Sequence, residues 1–163
     1  MAARQPQAVV VYEEIFPSDT NPYGTAFGGK ILALMDRAAG LAASRFARRH
    51  FVTASLDAMD FRSPVRQGQI AEVTARVVYT SSHTVGVEVT VAAVDKTEWQ
   101  PRCCARGLFF MVAIGEDGRP RAVPALEPGA GDKEARKLWQ EAAEVHRRML
   151  QRRSRRNREN APG

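Results

Sequence analysis

One helical pattern enclosed by strands constrains these 163 residues more than any other feature of the sequence. From Lys30 to about Arg49 apolar residues recur at helical spacing. A β-branched and aromatic segment, "AVVVYEEIF" (8–16), precedes it. Four more strand-like segments follow: "FVTASLDAMDF" (51–61), "QIAEVTARVVYT" (69–80), "TVGVEVTVAAVD" (84–95) and "RCCARGLFFMVAIG" (102–115). The alternation in "VGVEVTVAAV" is that of an antiparallel sheet with one covered face. Only the central helix offers enough apolar surface to cover such a sheet. The expected fold class is therefore α+β, an antiparallel sheet wrapped around one long helix, with the last four strands laid out as a meander. After the turn and linker "EDGRPRAVPALEPGAGD", an extra C-terminal helix is expected from about Asp132. It carries Ala135, Leu138, Trp139, Ala142, Val145 and Met149 at helical spacing. The chain thus divides into a domain at 1–126 and a linker, helix and Arg-rich tail at 127–163.

Charge tempts one toward nucleic acid, since the net charge is +6. Its location argues otherwise. Residues 147–158, "RRMLQRRSRRNR", hold seven Arg and no acid, leaving −1 for everything else. The domain is nearly neutral, and the tail reads as a solvated helix end that frays into disorder, with nucleic acid a poor fit as partner. No stretch of 18 apolar residues is present, so no membrane span is expected. The first residues lack the pattern of a secretory signal, which makes cytoplasm the expected location. Cys103 and Cys104 are neighbours on a strand, with side chains to opposite faces, and read as buried reduced thiols. No metal site is expected, because no partner set accompanies them.

The stretch "PSDTNPYGTAFGG" (17–29) is a long loop, and a loop of that length in a compact domain is often functional. It ends in Gly28 and Gly29, poor helix formers placed where a helix begins. The first turn of a helix carries N–H groups without internal partners and the positive end of the dipole. Residues lacking Cβ let an acceptor oxygen approach those groups, as a phosphate or an acyl-transfer oxyanion would. On the helix itself, Ile31, Met35, Ala38, Ala39, Ala42 and Phe46 share the face expected on the sheet, and Lys30, Arg37, Ser44 and Arg48 the wet face. A third stripe holds Gly29, Ala33, Asp36, Gly40, Ala43 and Ala47. It is either a neutral border of small residues or a place where a helix from a symmetry mate comes close. Asp36 lies seven residues beyond Gly29, roughly 10 Å along the axis. One chain's carboxylate is thus out of reach of its own helix start, whereas two antiparallel helices bring each Asp36 toward the other's Gly29.

These features resemble a family. "PSDTNPYGTAFGGKILALMDRAAGLAASR", "VTASLDAMDFRSPVRQGQIAEVTARVVYTSSHTVGVEV" and "FFMVAIGEDGRPRAVP" are similar, over residues 9–126, to the hotdog-fold acyl-CoA thioesterases of the cytosolic acyl-CoA hydrolase group. The resemblance implies hydrolysis of acyl-CoA to free CoA and a carboxylic acid, with no cofactor, since coenzyme A is part of the substrate. It implies homodimers with a continuous sheet, and trimers of those dimers. Asp36 then matches the essential carboxylate, as general base on water or, in a minor variant, as nucleophile. Gly29, with Gly28 beside it, polarises the thioester carbonyl. Where the family has Asn or Asp four residues before the second glycine, this chain has Thr25, whose hydroxyl forms fewer hydrogen bonds. Asn21 and Phe27 of the same loop join Gly28 as substrate-binding candidates. Arg62 and Ser63 are placed on the coenzyme A path, and Thr80, Ser81, Ser82 and His83 form a hairpin tip near the pantetheine or nucleotide. A hotdog dehydratase would need a His in the loop or central helix, and none is there. The alternative of another class is a non-catalytic module that binds or senses acyl-CoA, its Arg-rich tail touching nucleic acid.

Overall fold

The computed structural model describes residues 4–126 and 132–159. Five strands form one antiparallel sheet: β1 (Val9–Glu14), β2 (His50–Phe61), β3 (Ile70–Thr80), β4 (Thr84–Val94) and β5 (Arg102–Ile114). Between β1 and β2 lies α1 (Gly28–Ala47), and α2 (Lys133–Glu159) ends the described chain. The strand order is β1-β3-β4-β5-β2. A meander of four strands is therefore not what forms. Only β3, β4 and β5 are joined as neighbours, and β2 crosses to the far edge beside β5. Apolar alternation reports which face of a strand is covered and is silent on its neighbour. Putting β2 at the far edge lets the sheet close around α1 from both sides.

The face of α1 expected on the sheet is the buried one: Ile31, Met35, Ala38, Ala39, Ala42 and Phe46 are all nearly inaccessible. They meet a row of β4 side chains, Val85, Val87, Val89 and Val91, that point to one side of the pleat. Three alanines on the helix keep it close to those valines, and truncating a large residue here costs about 2–5 kcal/mol. The helix ends where Arg48 turns left-handed (φ 56°) and its N–H bonds back to Ser44 O at 2.8 Å.

The other face of the sheet is covered by α2. Asp132 Oδ1 accepts the Ala135 N–H at 2.9 Å, a side-chain cap worth about 1 kcal/mol. Beyond it Leu138, Trp139, Ala142, Val145 and Met149 pack on Val78, Tyr79, Leu108 and Phe110. Arg106 bridges this layer, 2.8 Å from Glu88 on β4 and 3.2 Å from Glu141 on α2. The Arg run does not fray where it was expected to: α2 stays helical to Glu159. Its Arg147, Arg148, Arg152, Arg153 and Arg155 are exposed, and Arg153 donates to Ala54 O on β2 at 3.4 Å. The end of the expected linker, 127–131, and the last four tail residues lie outside the described residues. No described helix is long and apolar enough to cross a membrane.

His146 has no context in the sequence, yet the fold buries it. Its Nδ1 lies 3.2 Å from Tyr79 Oη, and its ring stacks on Phe110 at 5.5 Å. Burial, with the Arg153 charge as a lesser cause, holds the imidazole below its ordinary value of 6.5. The unfolded chain then binds the extra proton first, so this contribution is full above pH 6.5 and is lost as pH falls from there toward the folded value. Urea midpoints across this range should fall with acid in the native protein, and the His146→Phe variant should lose that part of the slope.

Candidate active site

The loop before α1 is organised by its own side chains. Asn21 Oδ1 accepts the N–H groups of Tyr23 (3.0 Å) and Thr25 (3.2 Å), while its Nδ2 donates to Thr25 Oγ1 at 2.9 Å. Thr25 and Asn21, both candidates from the sequence, thus hold each other. Ala26 N–H bonds to Val65 O, tying the loop to the segment after β2. Lys30 sits in the first turn, where the helix dipole disfavours a cation, and it is neutralised there by Glu13 (2.9 Å) and Asp19 (3.1 Å). The hydrogen bonds to these two carboxylates, Glu13 first, raise the Lys30 pKa and keep it charged. Asp19 also accepts Phe16 N–H, the main reason its own pKa is lowered.

This scaffolding presents a helix start with no acid in its first turn and no side-chain cap at Phe27. Gly28 and Gly29 are exposed, and a Cβ on Gly29 would meet nothing within 4 Å. Gly28 opens onto a cleft of about 340 Å³ that Arg62 and Ser63 also line, with Ile31, Phe61 and Ala105 as its apolar walls. Arg62 is paired with Asp60 at 2.8 Å, and Ser63 Oγ lies 3.2 Å from Cys103 O. Cys104 is buried against the cleft, whereas Cys103 is exposed, which corrects the expectation that both thiols are buried. The two neighbours point to opposite faces, and at the start of β5 the face of Cys103 is left open, because α2 packs further along the strand on Leu108 and Phe110.

Asp36 is half-buried on α1 and accepts a 2.5 Å hydrogen bond from Thr53 Oγ1 of β2. Thr53 Oγ1 also lies 3.5 Å from Met111 Sδ of β5. Thr53 was missed in the sequence. The need of a shielded carboxylate for a partner was legible, but which strand position passes beside the helix was not. The stripe of small residues is split. Gly29 and Ala33 are exposed and Asp36 and Gly40 half-buried, but Ala43 and Ala47 are covered by the chain's own core. The open row on α1 is Gly29, Ala33, Arg37 and Leu41, and Leu41 is 55% exposed.

Within one chain the candidates form two groups. Gly28, Arg62 and Ser63 share the cleft at the start of α1, with Phe27 exposed beside it. Thr80, Ser81, Ser82 and His83 lie at the opposite end of the sheet, where Thr84 pairs with Val112 and Ala113 N–H bonds to His83 O. There Thr80 Oγ1 accepts Leu126 N–H and Ser82 Oγ lies 2.9 Å from the exposed His83 Nδ1. Among the described residues no cluster of His, Cys, Asp and Glu could hold a metal. What the described residues offer chemically is the start of α1 without a side-chain cap and the Asp36 carboxylate oriented by Thr53.

Residues 23–99 match the model of the thioesterase superfamily. The acyl-CoA thioester hydrolase YciA of Salmonella typhimurium is 34% identical over 73% of this chain and 92% of its own length. The chain belongs to the thioesterase superfamily. Another relative of this thioesterase-superfamily chain is the cytosolic acyl coenzyme A thioester hydrolase of Mus musculus, 35% identical over 74% of the chain. The chain spans about a third, 32%, of that longer protein. Among solved structures, an apo-hexameric acyl-CoA thioesterase is 32% identical with a TM-score of 0.80, covering 90% of this chain and 92% of that one. The acyl-CoA hydrolase of Staphylococcus aureus, solved with butyryl coenzyme A, coenzyme A and coenzyme A disulfide, is 29% identical with a TM-score of 0.81, covering 92% and 91%. Variants of it replace by Ala an Asn, an Asp 15 residues further on, and a Thr 17 residues beyond that. The sheet around a central helix in this thioesterase-superfamily chain is the hotdog arrangement.

Proposed function

We propose that this chain hydrolyses acyl-CoA to free coenzyme A and a carboxylic acid, at reaction centres shared between two copies. The observation that carries the reading is the short hydrogen bond from Thr53 to Asp36, which orients a half-shielded carboxylate on the helix that begins with Gly28 and Gly29. The spacing of the Staphylococcus variants supports it, since Asn21, Asp36 and Thr53 stand at the same two separations. That match favours Asn21 over Thr25 for the role of an amide facing the reacting water. Asn21 spends one Nδ2 hydrogen on Thr25 and has a second to offer.

The reaction follows from these parts. Water attacks the thioester carbonyl and gives its proton to Asp36 of one copy. The carbonyl oxygen becomes an oxyanion held by the Gly29 N–H at the helix start of the other. Collapse of the tetrahedral intermediate breaks the C–S bond, and the coenzyme A thiolate leaves and takes up a proton. The two-fold pairing has its surface in the open row of α1 together with the free edge of β2, where Val52 is 45% exposed. Antiparallel helices would carry the hairpin end of one copy to the helix start of the other, uniting the two groups of candidates.

Incubation with a panel of short, medium, long and aromatic acyl-CoAs, read as free thiol released, tests the reading. Release from at least one class is expected, and silence across the panel would leave a binding module instead. A finer expectation concerns Thr53. Thr53→Val keeps the shape and removes the hydroxyl, and kcat should drop about ten- to a hundredfold, as a charge-assisted hydrogen bond is worth about 1.5–3 kcal/mol, with KM little changed. An unchanged kcat would strip Thr53 of its part.

A further inference from the structure

Behind the apolar walls of the cleft beside Gly28 lies a layer of sulfur. The apolar walls are Ile31 on α1, Ala105 on β5 and Phe61 on β2. One turn further along the helix is Met35, two residues along β5 on the same face is Gly107, and two residues back along β2 is Met59. These three meet. A Cβ built on Gly107 would lie 3.0 Å from Met59 Sδ and 3.3 Å from Met35 Cε, with Leu56 Cδ1 also at 3.3 Å. The space left by the missing side chain on β5 is thus filled by the ends of two methionines from different elements. The bulge in β2 lies here too, between Asp57 and Asp60 in its pairing with β5.

The geometry points to this pair as the residues that set acyl-chain length. Resting on the thioesterase reading above, the inference is that the acyl group enters the cleft beside the helix start and runs between α1 and β5. Its terminal methyl stops against Met35 and Met59 where they close over Gly107. Ile31, Phe61 and Ala105 are apolar, so the groove takes a hydrocarbon chain. With Met35 one helical turn beyond Ile31, about 5.4 Å along the axis, a floor there suits short and medium chains over long ones. A residue at the floor of a pocket acts by the methylenes it admits or refuses, each worth about a fourfold change in binding. Nothing in this role touches the reacting atoms, so Met59 is a specificity residue and not part of the chemistry.

The test compares kcat/KM for butyryl-, octanoyl- and palmitoyl-CoA on the full chain. The native protein should favour the first two over palmitoyl-CoA. Met59→Ala deepens the groove and should raise the palmitoyl-to-butyryl ratio at least about tenfold. Gly107→Ala pushes the methionine ends into the groove and should lower the octanoyl-to-butyryl ratio. Met59→Leu conserves volume and serves where the cavity of the alanine variant prevents folding. Its branched end is stiffer than a thioether, so it should lower the octanoyl-to-butyryl ratio. Folded variants that hydrolyse acyl-CoA with the native chain-length profile would overturn the assignment and leave the thioesterase reading standing. A native protein that releases coenzyme A from none of the three would remove both.

Discussion

Asp36→Asn should lower kcat for acyl-CoA hydrolysis by roughly two to four orders of magnitude, the range that general-base catalysis contributes. The variant should fold as the native chain does, because Asn is isosteric and its amide oxygen can still accept from Thr53 Oγ1. Loss of rate without loss of thermal stability would place the effect in the chemistry. A native rate in this variant would remove Asp36 from the mechanism. The companion change is Gly29→Pro, which deletes one N–H at the second helical position. Proline is tolerated in a first turn, and a Cβ there meets nothing within 4 Å. Losing one oxyanion donor should cost about 10²–10³ in kcat. The two defects then test whether sites are shared. In a mixed dimer of the two variants, one site carries both faults and the other carries neither. An equal mixture allowed to exchange subunits should recover about a quarter of native activity, since half the dimers are mixed and each holds one intact site. Recovery no greater than the sum of the separate variants would mean that each chain builds its own centre.

Leu41→Glu should convert the protein to a monomer and silence it. Leu41 is 55% exposed in the single chain, in the open row with Gly29, Ala33 and Arg37, so the charge does no harm to the isolated fold. In a two-fold pair the same position occurs twice, and two uncompensated carboxylates enter the contact. Each unpaired buried charge costs several kcal/mol, and every 1.4 kcal/mol weakens association about tenfold. Light scattering should give the mass of one chain, and hydrolysis should fall in step with dissociation. A monomer with undiminished turnover would contradict the shared centre, and an intact, active dimer would place the contact elsewhere on the surface.

The parts of this molecule that were legible in the sequence are those governed by local periodicity. The buried face of α1 follows from 100° per residue, and the docked face of α2 from the same rule applied to Leu138, Trp139, Ala142, Val145 and Met149. Strand bounds followed from β-branched runs. Pairing did not, because β2 could have joined β3 through a short turn with the same alternation, and its place beside β5 is decided by closure around the helix. The same limit applies at the site. Asp36 stood out because a carboxylate interrupts an apolar pattern, and the diglycine because it opens a helix. Thr53 is ordinary in a strand and acquires meaning only from its place 2.5 Å from Asp36. His146 was invisible for a related reason: half of α2 is charged, and burial of one member depends on a tyrosine sixty-seven positions away. Met35 reads as core from the pattern alone, and its meeting with Met59 over Gly107 is a fact of three elements at once.

The placement of the two tryptophans has a practical consequence. Trp99 is 53% exposed and sits by Tyr12 on the β1 side, whereas Trp139 packs under α2 beside Tyr79, its ring in contact with both apolar clusters. Excited indole emits at longer wavelength in water than in an apolar setting, so Trp99 supplies a nearly constant red-shifted background and Trp139 a blue component that depends on docking. Emission colour is therefore an intrinsic gauge of whether the C-terminal helix is seated, available without any label and on the same sample in which turnover is recorded.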